Sequence, residues 1–551
     1  MTTPDTLADP QGLAHQRVVE QALRDVLGHG VASAAPRAPL PAQGGAPHPF
    51  ASGADASVYE PVWSRHPVSH HAEQPAPPSW EDRATSPFFS GAFTLPASPT
   101  QIPTPGQPPS LHTHAAEPEQ AVPYFLRHVG AATHAQQTVA HTTPRPSVAG
   151  YDVARIQADF PILHQKVNGH KLIWLDNAAT TQKPRAVIDA TSAFYERDNS
   201  NIHRAAHTLA ARATDAFEGA RTKLQRFIGA REAAEIVFVR GTTEAINLVA
   251  QSYGRANIGA GDEILITTIE HHANIVPWQL LARQTGAVLK VAPVNDRGEL
   301  LLDNFAALLS GRTKLVSVTH VANALGTINP VEQIIALSHA AGVPVLVDAA
   351  QSSPHLPLNV ATLDADFLVL SGHKIYGPTG IGILYGKRHL LEAMPPWQGG
   401  GHMIRDVTFA HTQFQGLPEK FEAGTPDIAG AVGLGAAVDY LQAIGLPAIA
   451  AHEHALLDYA TEQFAHLRGV RIIGTAQAKA SVLSFIVDGH SVTDVAKHLD
   501  RHGIAARSGH HCAQPALRRF GVEATVRASF GLYNSFEDVD ALVAALAQLV
   551  R

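Results

Sequence analysis

The chain has 551 residues, 45 % hydrophobic and 16 % charged, with a formal net charge of -7 and a single cysteine. One cysteine excludes an intramolecular disulfide framework, no run of about 18 apolar residues is available to span a bilayer, and the acidic balance offers no broad basic footprint for nucleic acid. The opening residues also lack the basic, apolar and small-residue pattern of a secretory signal, so the expected setting is the reducing cytoplasm.

Composition divides the chain near residue 150. Of the 38 prolines, 23 precede that point, and no lysine occurs before Lys166. Stretches such as "ASAAPRAPLPAQGGAPHPF" and "TLPASPTQIPTPGQPPS" bury too little apolar surface to offset the entropy of ordering, so residues 1–150 are expected to form a largely disordered extension. Within it, residues 11–27 predict an amphipathic helix, with Val18, Val19, Ala22, Leu23, Val26 and Leu27 on one stripe, Asp9 as N-cap, Pro10 in the first turn and Gly28 at the end. Two apolar islands, "SPFFSGAFTLP" and "AVPYFLRHVG", read either as short docking segments or as incidental hydrophobicity in a tail.

From Tyr151 the rhythm changes. The runs "EIVFV", "EILITTI", "KLVSVTH", "VPVLVDAA" and "DFLVLS" alternate with amphipathic segments, which predicts an α/β domain with a large, mostly parallel sheet over residues 151–415. Longer helical segments with the strands "RIIG" and "SVLSFIV" predict a smaller α+β domain over 416–551, against which the N-terminal segment of the larger domain is expected to pack.

The chemistry concentrates at strand ends. Lys374 follows the apolar run "FLVLS" among glycines, where a charge is costly and a lysine is prone to lose its proton or form a covalent bond to a carbonyl. Asp348 ends another such run with Gln351 three residues on, and ligands of open α/β sheets gather at the carboxyl ends of strands. A carboxylate there can pair with the ring nitrogen of pyridoxal phosphate, and Gln351 can bond its hydroxyl; alternatively, Asp348 caps the helix that follows. Strand, glycine turn and paired threonines in "EIVFVRGTTEAINLV" suit a phosphate at a helix N-terminus, with Thr242 and Thr243 as donors and Ser371 and His373 in reserve. His271, at the end of "EILITTIEHH", can stack on a cofactor ring. The His271–His272 pair lacks HExxH spacing and a neighbouring cysteine, so no metal site is expected. Near the C-terminus, "RSGHHCAQP" sets Cys512 behind Arg507 and two histidines, a basic setting that favours a nucleophilic thiolate over a small buried hydrophobe.

The stretches "DFPIL", "LDNAATTQKP", "FVRGTTEAINLVA", "EHHANIVPWQ", "THVANALGTINP", "VDAAQ", "SGHKIYGPTGIGILYG", "PPWQGGG", "FEAGTP" and "RSGHHCAQP" occur in order between Tyr151 and Arg551. In this it resembles a group II cysteine desulfurase of the SUF iron-sulfur assembly type, a fold-type I pyridoxal phosphate enzyme. The resemblance implies conversion of L-cysteine to L-alanine, with Lys374 as the Schiff-base residue, Cys512 as sulfur acceptor and His271 stacked on the ring. It further implies Arg527 as the substrate carboxylate clamp, Asn323 as a substrate and cofactor contact, and a homodimer in which His203, Arg204 and Thr425 reach across to the neighbouring site. A sulfur-accepting partner protein is also implied. The extension resembles the N-terminal segments of desulfurases carried as cargo inside encapsulin shells, which would target the enzyme to a shell interior; a solubilising tail or an acceptor-recruiting arm are the other readings. The nearest enzymatic alternative is a selenocysteine lyase, which shares the lysine and does not need the thiolate.

Overall fold

The computed structural model describes residues 150–202 and 206–550. The predicted helix at 11–27, the two apolar islands, His203 and Arg204 lie outside the described residues.

Seven strands make the main sheet: β1 (Ile236–Val239), β2 (Glu263–Thr267), β3 (Val288–Ala292), β4 (Thr313–Thr319), β5 (Val345–Asp348), β6 (Phe367–Ser371) and β7 (Gly382–Gly386), in the spatial order β1-β7-β6-β5-β4-β2-β3. All neighbours are parallel except β7, which runs antiparallel to both β1 and β6. Helices cover both faces. Leu368 and Leu370 therefore enter one apolar core with Phe217 and Leu224, while Phe367 and Val369 enter another with Trp278 and Leu281. Burial on both faces is why these strands read as unbroken apolar runs rather than alternating ones. The sequence reading found β1, β2, β4, β5 and β6. It did not assign β3, an edge strand whose residues are largely accessible, or β7, which has a glycine at each end.

A second sheet has four antiparallel strands, β8 (Val470–Ile473), β9 (Val482–Val487), β10 (Arg507–Gly509) and β11 (Thr525–Ser529), ordered β8-β9-β11-β10. It packs Phe485 and Val526 against Leu456 and Leu542 of the helices Leu446–Ala465 and Phe536–Leu549. Ile173 and Leu175 join this same core, and Ile173–Trp174 pairs in parallel with Ile504–Ala505.

The helix Ile428–Ile444, which the sequence reading grouped with the smaller domain, packs with the main sheet's core through Leu434, Val438 and Leu441. Asp427 caps it, accepting from the Gly430 N–H at 2.8 Å. Its glycines are there for closeness: a Cβ on Gly433 would stand 2.5 Å from Thr191 Oγ1 and 2.6 Å from Pro378 Cγ. Among the described residues, no single helix is long and apolar enough to cross a membrane.

Candidate active site

The C-terminal ends of β1, β2, β4, β5 and β6 converge on a cavity of about 180 Å³, closed from the other side by Arg507 at the start of β10, the loop after β10 and Arg527 in the middle of β11. Parallel strands point their carboxyl ends one way, so residues distant in sequence meet at one rim.

After β1, Gly241 takes φ +150, and a Cβ there would crowd Ser371 Oγ at 3.1 Å. The helix Thr242–Val249 starts at this turn. The Thr242 N–H donates to Ser371 Oγ, whose hydroxyl donates to Thr242 Oγ1, both at 2.9 Å. Thr243 and His373 line the same wall, making a helix-terminal cradle for a small anion.

After β5, Asp348 is buried and accepts one hydrogen bond from the Ala350 N–H at 2.9 Å. Burial raises its pKa, and Lys374 opposes that. Gln351 is likewise buried, its amide donating to the Ala178 carbonyl at 2.5 Å. After β6, desolvation lowers the Lys374 ammonium to a pKa of about 8; Arg527 and Arg507 push the same way, against Asp348 and Cys512. The peptide before Lys374 is tightly held. The His373 carbonyl accepts from the Thr181 N–H (3.0 Å), Thr180 Oγ1 (3.0 Å), Thr181 Oγ1 (3.1 Å) and Lys183 Nζ (3.3 Å).

After β2, His271 Nδ1 accepts from the Ala273 N–H at 3.0 Å. Burial, with Lys374, His272 and Arg527 nearby, lowers its pKa to about 3, so the ring is neutral with its proton on Nε2. The preceding Glu270 is fully buried and accepts from Thr267 Oγ1 (2.6 Å), Asn274 Nδ2 (2.7 Å) and the Thr319 N–H (2.8 Å), tying the end of β2 to the end of β4.

Arg527 is buried on β11. It donates to the Asn323 carbonyl at 3.0 Å and to Asp176 Oδ1 at 3.1 Å, while its Nε has no partner among the described residues. Arg507 donates to Asp176 Oδ2 at 3.0 Å. Asn323 Nδ2 holds the His511 carbonyl at 2.6 Å, and its Oδ1 has no partner among the described residues. Cys512 itself is exposed. It and His511 both adopt left-handed backbone, at φ 53 and 52.

Of the residues singled out from sequence, Lys374, Cys512, His271, Asp348, Gln351, Thr242, Thr243, Ser371, His373, Asn323, Arg507 and Arg527 all line this one cavity. Thr425 does not: it lines a separate cavity of about 550 Å³ beside Arg240 and Trp397. The reading gave no role to Asp176, Thr180, Thr181 or Lys183. All four lie in "LDNAATTQKP", and a carboxylate and a lysine inside a motif whose other residues are uncharged were the available signal.

The donors fit pyridoxal 5′-phosphate. A hydroxyl-lined helix start, a buried carboxylate, a depressed lysine and a neutral imidazole surround one space, and the unpartnered Arg527 Nε and Asn323 Oδ1 leave capacity for a bound carboxylate and amine.

The aminotransferase class-V family model matches residues 173–542. A probable cysteine desulfurase of Mycolicibacterium paratuberculosis is 61 % identical over 401 residues, covering 73 % of this chain; the chain spans only 58 % of that relative's length. A cysteine desulfurase of Synechococcus elongatus is 49 % identical over 519 residues, covering 91 % of this chain and 83 % of the relative. Among solved structures, the cysteine desulfurase CsdA of Escherichia coli, crystallised in an S-sulfonic acid form, superposes with a TM-score of 0.68 at 41 % identity, covering 73 % of this chain and 100 % of that one. The chain belongs to the class-V aminotransferase family and, within it, to the cysteine desulfurases, a pyridoxal 5′-phosphate-dependent group.

Proposed function

We propose that the protein converts L-cysteine to L-alanine and leaves the sulfur on Cys512 as a persulfide. The observation that carries this reading is that one cavity is lined at once by Lys374, Arg527 and the chain's single cysteine. Thr242, Thr243, Ser371 and His373 would hold the cofactor phosphate, Asp348 and Gln351 the ring's polar atoms, and His271 its face. Bound there, the cofactor supplies an electron sink for the electrons of the substrate Cα–H bond. Arg527, with its free Nε, orients the substrate carboxylate as a planar fork. Lys374 would hold the cofactor covalently in the resting enzyme and, once released as a free amine, would move the proton at the substrate Cα. The Cys512 thiolate attacks the substrate sulfur: an S–S bond forms, the substrate C–S bond breaks with its electron pair left on carbon, and a proton completes alanine.

The finer reading is a group II enzyme of the SUF type, a cytoplasmic homodimer with His203, Arg204 and Thr425 reaching the partner's site, slow until a sulfur-accepting protein takes the persulfide. Residues 1–150 then direct the enzyme as cargo into an encapsulin shell, where many weak contacts act together. Support for a dedicated role comes from the Synechococcus relative. Its match covers 91 % of this chain, whereas the match to the mycobacterial relative covers 73 %, so the longer alignment reaches well into the extension.

The test is a visible spectrum followed by alanine and persulfide assays, wild type against Cys512→Ala. Loss of both products from a yellow variant supports desulfuration; indifference to Cys512 moves the reading to selenocysteine lyase. Deleting residues 1–150 is expected to leave alanine production intact and abolish co-purification with a co-expressed shell protein. Unchanged co-purification rejects the cargo role.

A further inference from the structure

Two consecutive residues with left-handed backbone, His511 and Cys512, are unusual outside glycine and persist only where surrounding contacts over-determine them. Asn323 holds the His511 carbonyl, and two contacts on Cys512 and the residues after it come from one histidine outside the loop. The His272 N–H donates to the Cys512 carbonyl at 2.7 Å, and the Gln514 N–H donates to His272 Nε2 at 3.2 Å. From within the loop, the Cys512 N–H donates to His510 Nδ1 at 3.2 Å, and the His272 and His510 rings lie 5.8 Å apart, tilted by 31°. His272 thus grips the loop at the sulfur-bearing residue and just beyond it, from a segment 240 residues earlier.

We propose that His272 is a positioning residue that latches the Cys512 loop in its reactive conformation, and that the ring's part of the latch works only while the ring is neutral. The inference rests on the desulfurase reading for its catalytic consequence and on geometry for the latch. The chemistry of the ring sets the condition: Nε2 is an acceptor for the Gln514 N–H, and an imidazolium has no free lone pair to accept with. The groups facing His272 are His271 on its own segment and His510, Cys512 and Gln514 on the loop. Among the described residues, no ion pair steadies a charge on it; burial and His510 both hold its pKa below the ordinary imidazole value. Protonation in acid therefore converts that hydrogen bond into an N–H facing an N–H and loosens the loop just beyond Cys512, while the main-chain His272 N–H still holds the Cys512 carbonyl and Asn323 the His511 carbonyl.

The experiment compares full-length holoenzyme of wild type, His272→Ala and His272→Gln. Glutamine keeps a carbonyl acceptor and does not titrate. Two quantities are measured across pH: deuterium exchange of the peptide spanning 510–514, corrected for the intrinsic rate, and the rate of persulfide formation in the first turnover. His272→Ala is expected to lose loop protection and slow the first turnover about tenfold with the KM for L-cysteine within about twofold, the scale of one lost hydrogen bond with strain released. His272→Gln is expected to restore most of both and to lose the wild-type drop in protection on acidification. Wild-type protection in His272→Ala, or an acid drop that survives in His272→Gln, overturns the latch. If His272→Ala does not fold, the pH profile of His272→Gln decides alone. Exchange is read whether or not alanine is formed, so failure of the latch and failure of the desulfurase assignment give different results.

Discussion

Arg507 and Arg527 stand directly opposite each other on neighbouring antiparallel strands. Like charges in that register repel, and one carboxylate resolves it: Asp176 accepts from Arg507 at 3.0 Å and from Arg527 at 3.1 Å. The two arginines differ in role because they differ in burial. Arg507 is 47 % exposed at the side chain and Arg527 2 %, so Arg527 depends on Asp176 far more.

Asp176→Asn keeps the shape and removes the charge. Arg527 then faces Arg507 without a counter-ion and loses its orientation toward the substrate carboxylate. The KM for L-cysteine is expected to rise roughly ten- to a hundredfold, the range for a lost charge-assisted hydrogen bond, with a smaller change in kcat. Steady-state alanine production checks it; an unchanged KM would sink the assignment.

The pH dependence of cofactor uptake follows from Lys374. Its neutral amine is the reactive form, and its pKa is about 8, so uptake of pyridoxal 5′-phosphate by the apo-protein should accelerate as pH rises through that region. The Asp348 carboxylate favours the ammonium. Asp348→Asn removes that effect, lowers the Lys374 pKa and moves the midpoint to lower pH. Stopped-flow absorbance measures it, and an upward shift would contradict the coupling. His271, held to about 3, contributes no inflection in this range.

Arg221 and Glu422 form a buried bidentate pair at 2.6 and 3.0 Å, with Glu422 Oε1 also accepting the Phe238 N–H at 2.7 Å. Glu422→Gln leaves the buried guanidinium with only the half-exposed Glu218 as a charged partner and takes a charge from the Phe238 N–H, and a loss of about 3 kcal/mol, the lower end for a broken buried pair, is expected. Breaking the Lys223–Asp439 pair, 43 % and 53 % exposed, should cost less than about 1 kcal/mol. Urea denaturation of both variants distinguishes the two cases.

Two helical glycines should respond with opposite sign. Gly433→Ala forces a Cβ to within 2.5 Å of Thr191 Oγ1 and is expected to destabilise by about 1–3 kcal/mol, outweighing the helix propensity of alanine. Gly219, inside the helix Thr208–Phe227, has nothing among the described residues within 4 Å of the point where a Cβ would stand. Gly219→Ala should stabilise by up to about 1 kcal/mol. Thermal melts of both read the sign directly.

Much of the site was legible in advance because of where it lies. Strands buried on both faces leave long apolar runs, and Asp348, His271 and Lys374 stand out as polar residues where those runs stop. β11 was missed for the converse reason: Arg527 sits in the middle of its five residues, so no apolar run marks it, although every one of them is buried. Helix Ile428–Ile444 was grouped with the wrong neighbours because small residues packing at close range carry no partner's address in their spacing.

The amino-acid sequence by itself determined that a lysine, an aspartate and a hydroxyl-lined turn would end strands of one α/β sheet, because local hydrophobic patterning and turn chemistry act over a few residues. Tertiary structure alone decided that Asp176 would stand between Arg507 and Arg527, that Thr425 would lie in a different cavity, and that His272 would grip the loop of Cys512. Those relationships depend on strand register and on contacts between segments hundreds of residues apart, and no local periodicity records them.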